Sequence, residues 1–276
     1  MWAFLKTVRN NPIYLREQGR WGEPNQYYAT LLRYLPLIIL VVIALGVCGY
    51  GQAFGVVGLS DEAGILFALI CIPNILLQML TWVGLIIAPA LTAPSVVEEV
   101  HRGSWDILRL TPMPTMHVIA AKFLGSLSRL KIWRALLIIS VIYAAGTGIG
   151  SSAFLFEQTG VGSIFWGLLS AIMIFFRPWL EIGFAGLAGL TLSLWTSSTR
   201  AALIGSYALV IFFRLVLGNA VMWSTIGGMM ALDFEEAAFA TGSMSLVVLY
   251  LLSNLTLFFL MRRRALALDN GDFLKA

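Results

Sequence analysis

The chain has 276 residues, 59% of them hydrophobic and 12% charged, with a mean hydropathy of +0.86. That balance excludes a water-soluble domain of ordinary make-up and leaves a polytopic, all-α integral membrane protein. The formal charge is only +4, and no nucleic-acid partner is expected.

The opening MWAFLKTVRNNP has no apolar run after its first positive charges, so it does not read as a signal peptide, and the N-terminus is expected on the side of synthesis. Residues 1–33 mix Lys6, Arg9, Arg16, Arg20 and Arg33 with Trp2, Phe4, Tyr14, Trp21, Tyr27 and Tyr28. The mixture fits an amphipathic helix in the membrane interface, with aromatic rings at headgroup depth and basic groups toward anionic lipid. Residues 34–54 are apolar over the roughly 20 residues that a crossing needs and form the first predicted span. A glycine-rich turn with Asp61 and Glu62 precedes the second, residues 64–91, which contains Pro73 and Pro89. Its Asn74, Gln78 and Thr81 recur at i, i+4 and i+7, so they share one face, expected to pack on protein as a polar pathway or contact. Cys48 and Cys71 lie in apolar runs and read as two buried reduced thiols without a disulfide or metal-ligand spacing.

Residues 93–116, APSVVEEVHRGSWDILRLTPMPTM, are polar in their first half and broken by Pro112 and Pro114. Val96, Val97, Val100, Trp105 and Leu108 recur at helical spacing between charges, which predicts a short amphipathic helix able to dock on a partner. Residues 117–134 continue as a helix that carries Lys122, Arg129, Lys131 and Arg134, and the third span is expected at residues 132–145 with a loop over 146–162. The run 163–196 is too long for one upright span at about 1.5 Å per residue. Arg177-Pro178 divides it, so the fourth span is placed at 178–195 and the piece before it is read as interfacial or re-entrant. The fifth and sixth spans are placed at 201–217 and 245–261, with Asp233, Glu235 and Glu236 in a stretch of short helices, residues 219–242, between them. Gly183, Gly186, Gly189 and Ser193 give the fourth span a small-residue face suited to close helix packing.

Apart from Arg177 and Arg214, every Lys and Arg falls before the first span, in or near the central loop, at Arg200, or in the tail with Arg262, Arg263, Arg264 and Lys275. The alternate loops carry only acidic groups, so six spans with both termini cytoplasmic satisfy the charge rule, and residues 93–116 become the first cytoplasmic loop. The whole chain is then one transmembrane domain: an interfacial helix (1–33), a bundle (34–261) and a cytoplasmic tail (262–276). The four lysines stand outside any GxxxxGK setting, so the chain is not expected to hydrolyse ATP itself. His101 and His117 both lie in the loop region, so neither a Ser-His pair nor an HExxH site can form within the membrane. Counted by helical rise, Glu181 and Arg214 lie about 22 Å above the turn at Thr199 on consecutive antiparallel spans. A lone charge at such depth costs at least roughly 2.5 kcal/mol. Glu181 is therefore expected to pair with Arg214, or with Arg177 at i, i+4; snorkelling of all three to the outer interface is the alternative.

The run from Glu99 to Pro112, EVHRGSWDILRLTP, resembles the cytoplasmic-loop signature of ABC transporter permeases of the ABC type 2 family: an acidic residue, then Arg-Gly-Thr, an acidic residue, leucines and Thr-Pro. Ser104 stands where Thr is usual, and His101 where an acidic or polar residue is common. Asn11-Pro12 with Arg16-Glu17 resembles that family's entry before its first span. The resemblance implies that the loop is a coupling helix seated on a separate ATP-binding subunit, which holds the ATP and Mg, with no cofactor bound by this chain. It places Glu99, Arg102, Gly103, Trp105, Asp106 and Leu108 at that contact. Trp105, Ile107 and Leu108 would be its apolar anchors, with Glu99, Arg102 and Asp106 at the polar rim. It further implies a second permease copy or related permease, export as the direction, and the cell membrane as the location. The competing readings are a non-transporting anchor or accessory subunit, and an integral membrane enzyme, which would need carboxylates or histidines clustered at one interfacial depth.

Overall fold

The computed structural model describes residues 12–17, 33, 61–101, 114–130, 132–159, 162–231 and 235–269. The regular elements among them are all helical: α1 (Pro12–Glu17), α2 (Asp61–Thr92), α3 (Pro94–His101), α4 (Thr115–Ser128), α5 (Trp133–Thr159), α6 (Gly162–Trp195), α7 (Thr199–Ile211), a π-helical turn (Phe212–Leu217), α8 (Gly218–Ala231) and α9 (Glu235–Asp269). Four stretches are long and apolar enough to cross a membrane: Pro73–Val100, Ile164–Trp195, Thr199–Gly228 and Thr241–Ala267. The pair α4 and α5, bent by 72° at its break, makes a fifth if it is counted as one crossing. The predicted first span at 34–54 and Cys48 lie outside the described residues, as do the side chain of Cys71, the predicted interfacial helix except for its stretch in α1, and residues 102–113 of the central loop.

The distribution of side chains is that of a protein whose outer solvent is hydrocarbon. Ile138, Ile142, Phe165, Leu168, Phe212, Val216, Leu252 and Phe259 stand exposed, while Glu181 and Lys122 are 1% and 0% exposed. Charges in such a fold turn inward because they are costly against lipid. The chain is thus a membrane-embedded helical bundle.

α6 is the axis of that bundle, packed against α2, α5, α7 and α9 along its length and against α3 and α4 at one end. Ile182, Phe184, Ala185 and Ala188 of α6 are buried with Leu85, Ala88 and Leu91 of α2, Leu136 of α5, Val210 of α7 and Tyr250 of α9. Small residues allow the closest approaches. A Cβ on Gly189 would collide with Thr92 Oγ1 and lie 3.1 Å from the Pro89 Cα, so α2 and α6 nearly touch by their backbones there. The glycine face predicted on this segment is shared among neighbours: Gly186 meets Phe123 and Leu127 of α4, and Gly183 meets Asn254 of α9.

Several predicted boundaries move. Residues 146–159, expected as part of a loop, continue α5 as helix. Gly148 serves packing there, since an added Cβ would stand 3.0 Å from Ala171 Cβ of α6. The segment before Pro178 is part of one continuous 34-residue helix. Proline at 178 withholds its own N–H from the Ile174 carbonyl, yet the flanking turns are held by α5 and α9, so the helix is not divided. Residues 219–231 likewise prolong the fifth predicted span through the π turn into α8. The break between α4 and α5 is made by two i→i+3 bonds, Arg129 N to Ser126 O and Leu130 N to Leu127 O, and is pinned by Trp133 Nε1 donating to Leu127 O at 2.6 Å.

Candidate functional site

Three charged side chains meet inside the bundle. Glu181 is on α6, one turn beyond Arg177, and Arg177 Nε donates to Glu181 Oε1 at 2.8 Å. Arg214, in the π turn, places Nη1 on Glu181 Oε2 and Nη2 on Gln78 Oε1 of α2, the latter at 2.6 Å. Its guanidinium also lies over the Trp82 ring, 4.5 Å from the centroid, where the face of the indole attracts a cation. The structure therefore brings Glu181 together with both arginines at once, and adds two partners from α2.

Local sequence explains how each group arrives. Glu181 follows Arg177 by four residues, so a helix alone aligns them. Gln78, Thr81 and Trp82 lie within one turn of α2, and Thr81, bonded to its own helix through Leu77 O at 2.6 Å, presents little free polarity. Arg214 reaches the centre from a π turn in which Gly218 N bonds Phe213 O, five residues back. The wider turn changes the azimuth of everything beyond it, and such turns recur at functional positions. Asn74, predicted on the same face as Gln78, is half-buried and makes no side-chain hydrogen bond among the described residues.

A second ion pair sits at the end of the bundle that carries α3 and α4. Lys122 Nζ lies 2.7 Å from Glu99 Oε2 and 3.1 Å from the Ser95 carbonyl, with the lysine side chain wholly buried. Glu99, expected on the rim of a docking surface, thus faces inward onto α4. The signal was present in the sequence: Lys122 shares the helical face of Thr115, Val118, Ile119, Gly125 and Ser126, all but lysine apolar or small, and that whole face is buried. At the same end Arg264 of α9 reaches Leu194 O at 3.4 Å and lies over Trp195, a cation at the C-terminus of α6. Arg102, Gly103, Trp105, Asp106 and Leu108 lie outside the described residues. Among the described residues no three His, Cys, Asp or Glu side chains gather into a metal-binding set.

Fold and site together define a polytopic helical membrane protein with a buried charge centre shared by three of its helical segments. Comparison with family models, with curated proteins and with solved structures finds no match for the chain.

Proposed function

We propose that the chain is the membrane-spanning permease subunit of an ATP-driven ABC transporter of the exporter type. It lies in the cell membrane with cytoplasmic termini, pairs with a second permease and docks a separate ATP-binding subunit through residues 93–116. The loop motif from Glu99 to Pro112 supplies the family resemblance. The observation that carries the reading is how firmly the stem of that loop is fastened. Val96 is buried among Ile119, Leu187, Leu190 and Met261, and Val97 among Ala93 and Ala202. Lys122 locks Glu99 to α4. A loop held in this way passes a displacement into the bundle as rigid-body motion, which is what coupling to an ATPase demands. Glu99 then acts as an anchor of the stem, and Arg102, Trp105, Asp106 and Leu108 are left for the partner.

The test is co-purification of an ATP-binding subunit with the chain. Trp105→Ala should weaken the association by about 2 kcal/mol or more, as a desolvated aromatic anchor does, and should change the subunit's ATPase rate. An unaltered complex after Trp105→Ala and Leu108→Ala together refutes the docking.

A further inference from the structure

The charge centre holds more hydrogen-bond donors than acceptors. Both oxygens of Glu181 are taken, Oε1 by Arg177 and Oε2 by Arg214. Gln78 turns its Oε1 to Arg214, which fixes the amide orientation and aims its NH2 elsewhere. Neither that NH2 nor the terminal nitrogens of Arg177 meet an acceptor among the described residues. Among the described residues, two guanidiniums against one carboxylate leave the centre with one positive charge in excess. Next to it, where α2, α5, α6 and α9 meet, is a cavity of about 100 Å³ lined by Gln78, Thr81, Tyr143, Arg177, Glu181 and Ser243.

An excess cation in apolar surroundings is unfavourable until it is neutralised. The carboxylate present already faces two guanidiniums, so a metal ion would add to the excess positive charge, whereas an anion would meet unused donors on several sides. We infer that the cavity binds one oxyanion group, a carboxylate or a phosphate, with Arg177 as its principal ligand and the Gln78 amide and Ser243 hydroxyl as further donors. A guanidinium edge matches the two oxygens of such a group. The cavity is well below the roughly 300 Å³ at which pockets for whole drug-sized molecules begin, so it takes the anionic head of a larger molecule or a small free anion. The inference goes beyond the transport reading and holds equally for a chain that docks no ATP-binding subunit.

The experiment uses the purified full chain in nanodiscs of phosphatidylcholine and follows thermal unfolding at constant ionic strength. One arm adds sodium phosphate or acetate in place of chloride; the other incorporates phosphatidic acid in the disc. A specific ligand raises Tm with concentration. The rise should need ~10-fold or more higher anion in Arg177→Gln, which loses a charge-assisted ligand, and in Gln78→Glu. Gln78→Glu keeps the acceptor that Arg214 uses, so it should fold as well as the parent while its added negative charge cancels the excess. A response in the first arm identifies a free anion, and a response only in the second identifies a lipid headgroup; either, if lost in both variants, supports the site. No response to any probe overturns it. So does an equal rise in parent and variants, because general exclusion of phosphate from protein surfaces acts on all alike.

Discussion

Glu181→Gln tests the charge centre most directly. The parent carboxylate is 2% exposed and accepts from Arg177 Nε and Arg214 Nη1. The amide that replaces it can still bond one guanidinium but leaves two cations facing each other. Removing one partner of a buried ion pair costs about 3–5 kcal/mol. The Arg177 side chain is 30% exposed and can swing outward, so the lower end, about 3 kcal/mol, is expected. Arg214→Gln should cost less, about 1–3 kcal/mol, because Glu181 loses the bond to its Oε2 but keeps Arg177 on Oε1, no cation is left unpaired, and beyond that Gln78 and Trp82 lose a partner. If the two residues interact, Glu181→Gln/Arg214→Gln should be hardly less stable than Glu181→Gln alone, giving a coupling of about 2 kcal/mol. Equilibrium unfolding of the four proteins in mixed detergent micelles measures the cycle. Losses that add to within about 0.5 kcal/mol would refute the pairing.

Lys122→Met leaves Glu99 buried without its cation and should lower stability by about 3–5 kcal/mol, whereas Lys122→Met/Glu99→Gln should recover much of the loss; Tm of the two variants decides it. Gly189→Ala forces α2 and α6 apart at Thr92 and Pro89 and should cost about 1–3 kcal/mol, while Gly183→Ala, whose added Cβ would lie 3.6 Å from Asn254 Oδ1, should cost clearly less in the same unfolding assay. With cytoplasmic termini, cysteines replacing Glu157 and Glu236 should react with an impermeant reagent in intact cells and one replacing Arg102 should not; labelling at Arg102 reverses the orientation.

The membrane class could be read because apolar runs of span length state it outright, but the helix ends could not. Gly146, Gly148, Gly150 and Pro178 carry the local signals of turns, yet α5 and α6 run helical through them, and the packing of α6 on α5 and α9 that supports this is a tertiary fact. The charge centre was legible in outline, since depth alone puts Glu181 level with Arg214 and helical spacing puts it beside Arg177. Its α2 half was not: Gln78 and Trp82 lie 136 and 132 residues from Arg214, and nothing local marks them as partners. The π turn was equally hidden, because FFRLVL reads as ordinary helix and no residue in it marks the wider i→i+5 bonding.

The proposed docking segment leads back into α3, which carries Glu99, and α3 into α2, which carries Gln78, so the two ion pairs lie along one path of the chain. α2 touches α6 at two heights, where a Cβ on Gly84 would lie 2.6 Å from Ile182 Cδ1 and where Gly189 meets Thr92 and Pro89. Beyond Thr92, α3 is held to α6 as well, and Glu99 to α4. α2, α3 and α6 therefore lack the slack to move separately and act as one body. A push on the loop would turn that body as a whole, over the ~30 Å of helix between Glu99 and Gln78. That body meets α7 where the Tyr207 hydroxyl donates to Ile86 O, α9 where Arg264 and Asn254 donate to Leu194 O and Leu180 O, and the π turn where Arg214 bonds Gln78 on α2 and Glu181 on α6; of these only the π turn has a discrete alternative geometry. A π turn can pass to α-helical bonding by shifting one residue of register, and close packing favours such discrete shifts over continuous bending. Relative motion in this bundle is thus most easily placed at residues 212–217, with the charge centre as its contact point.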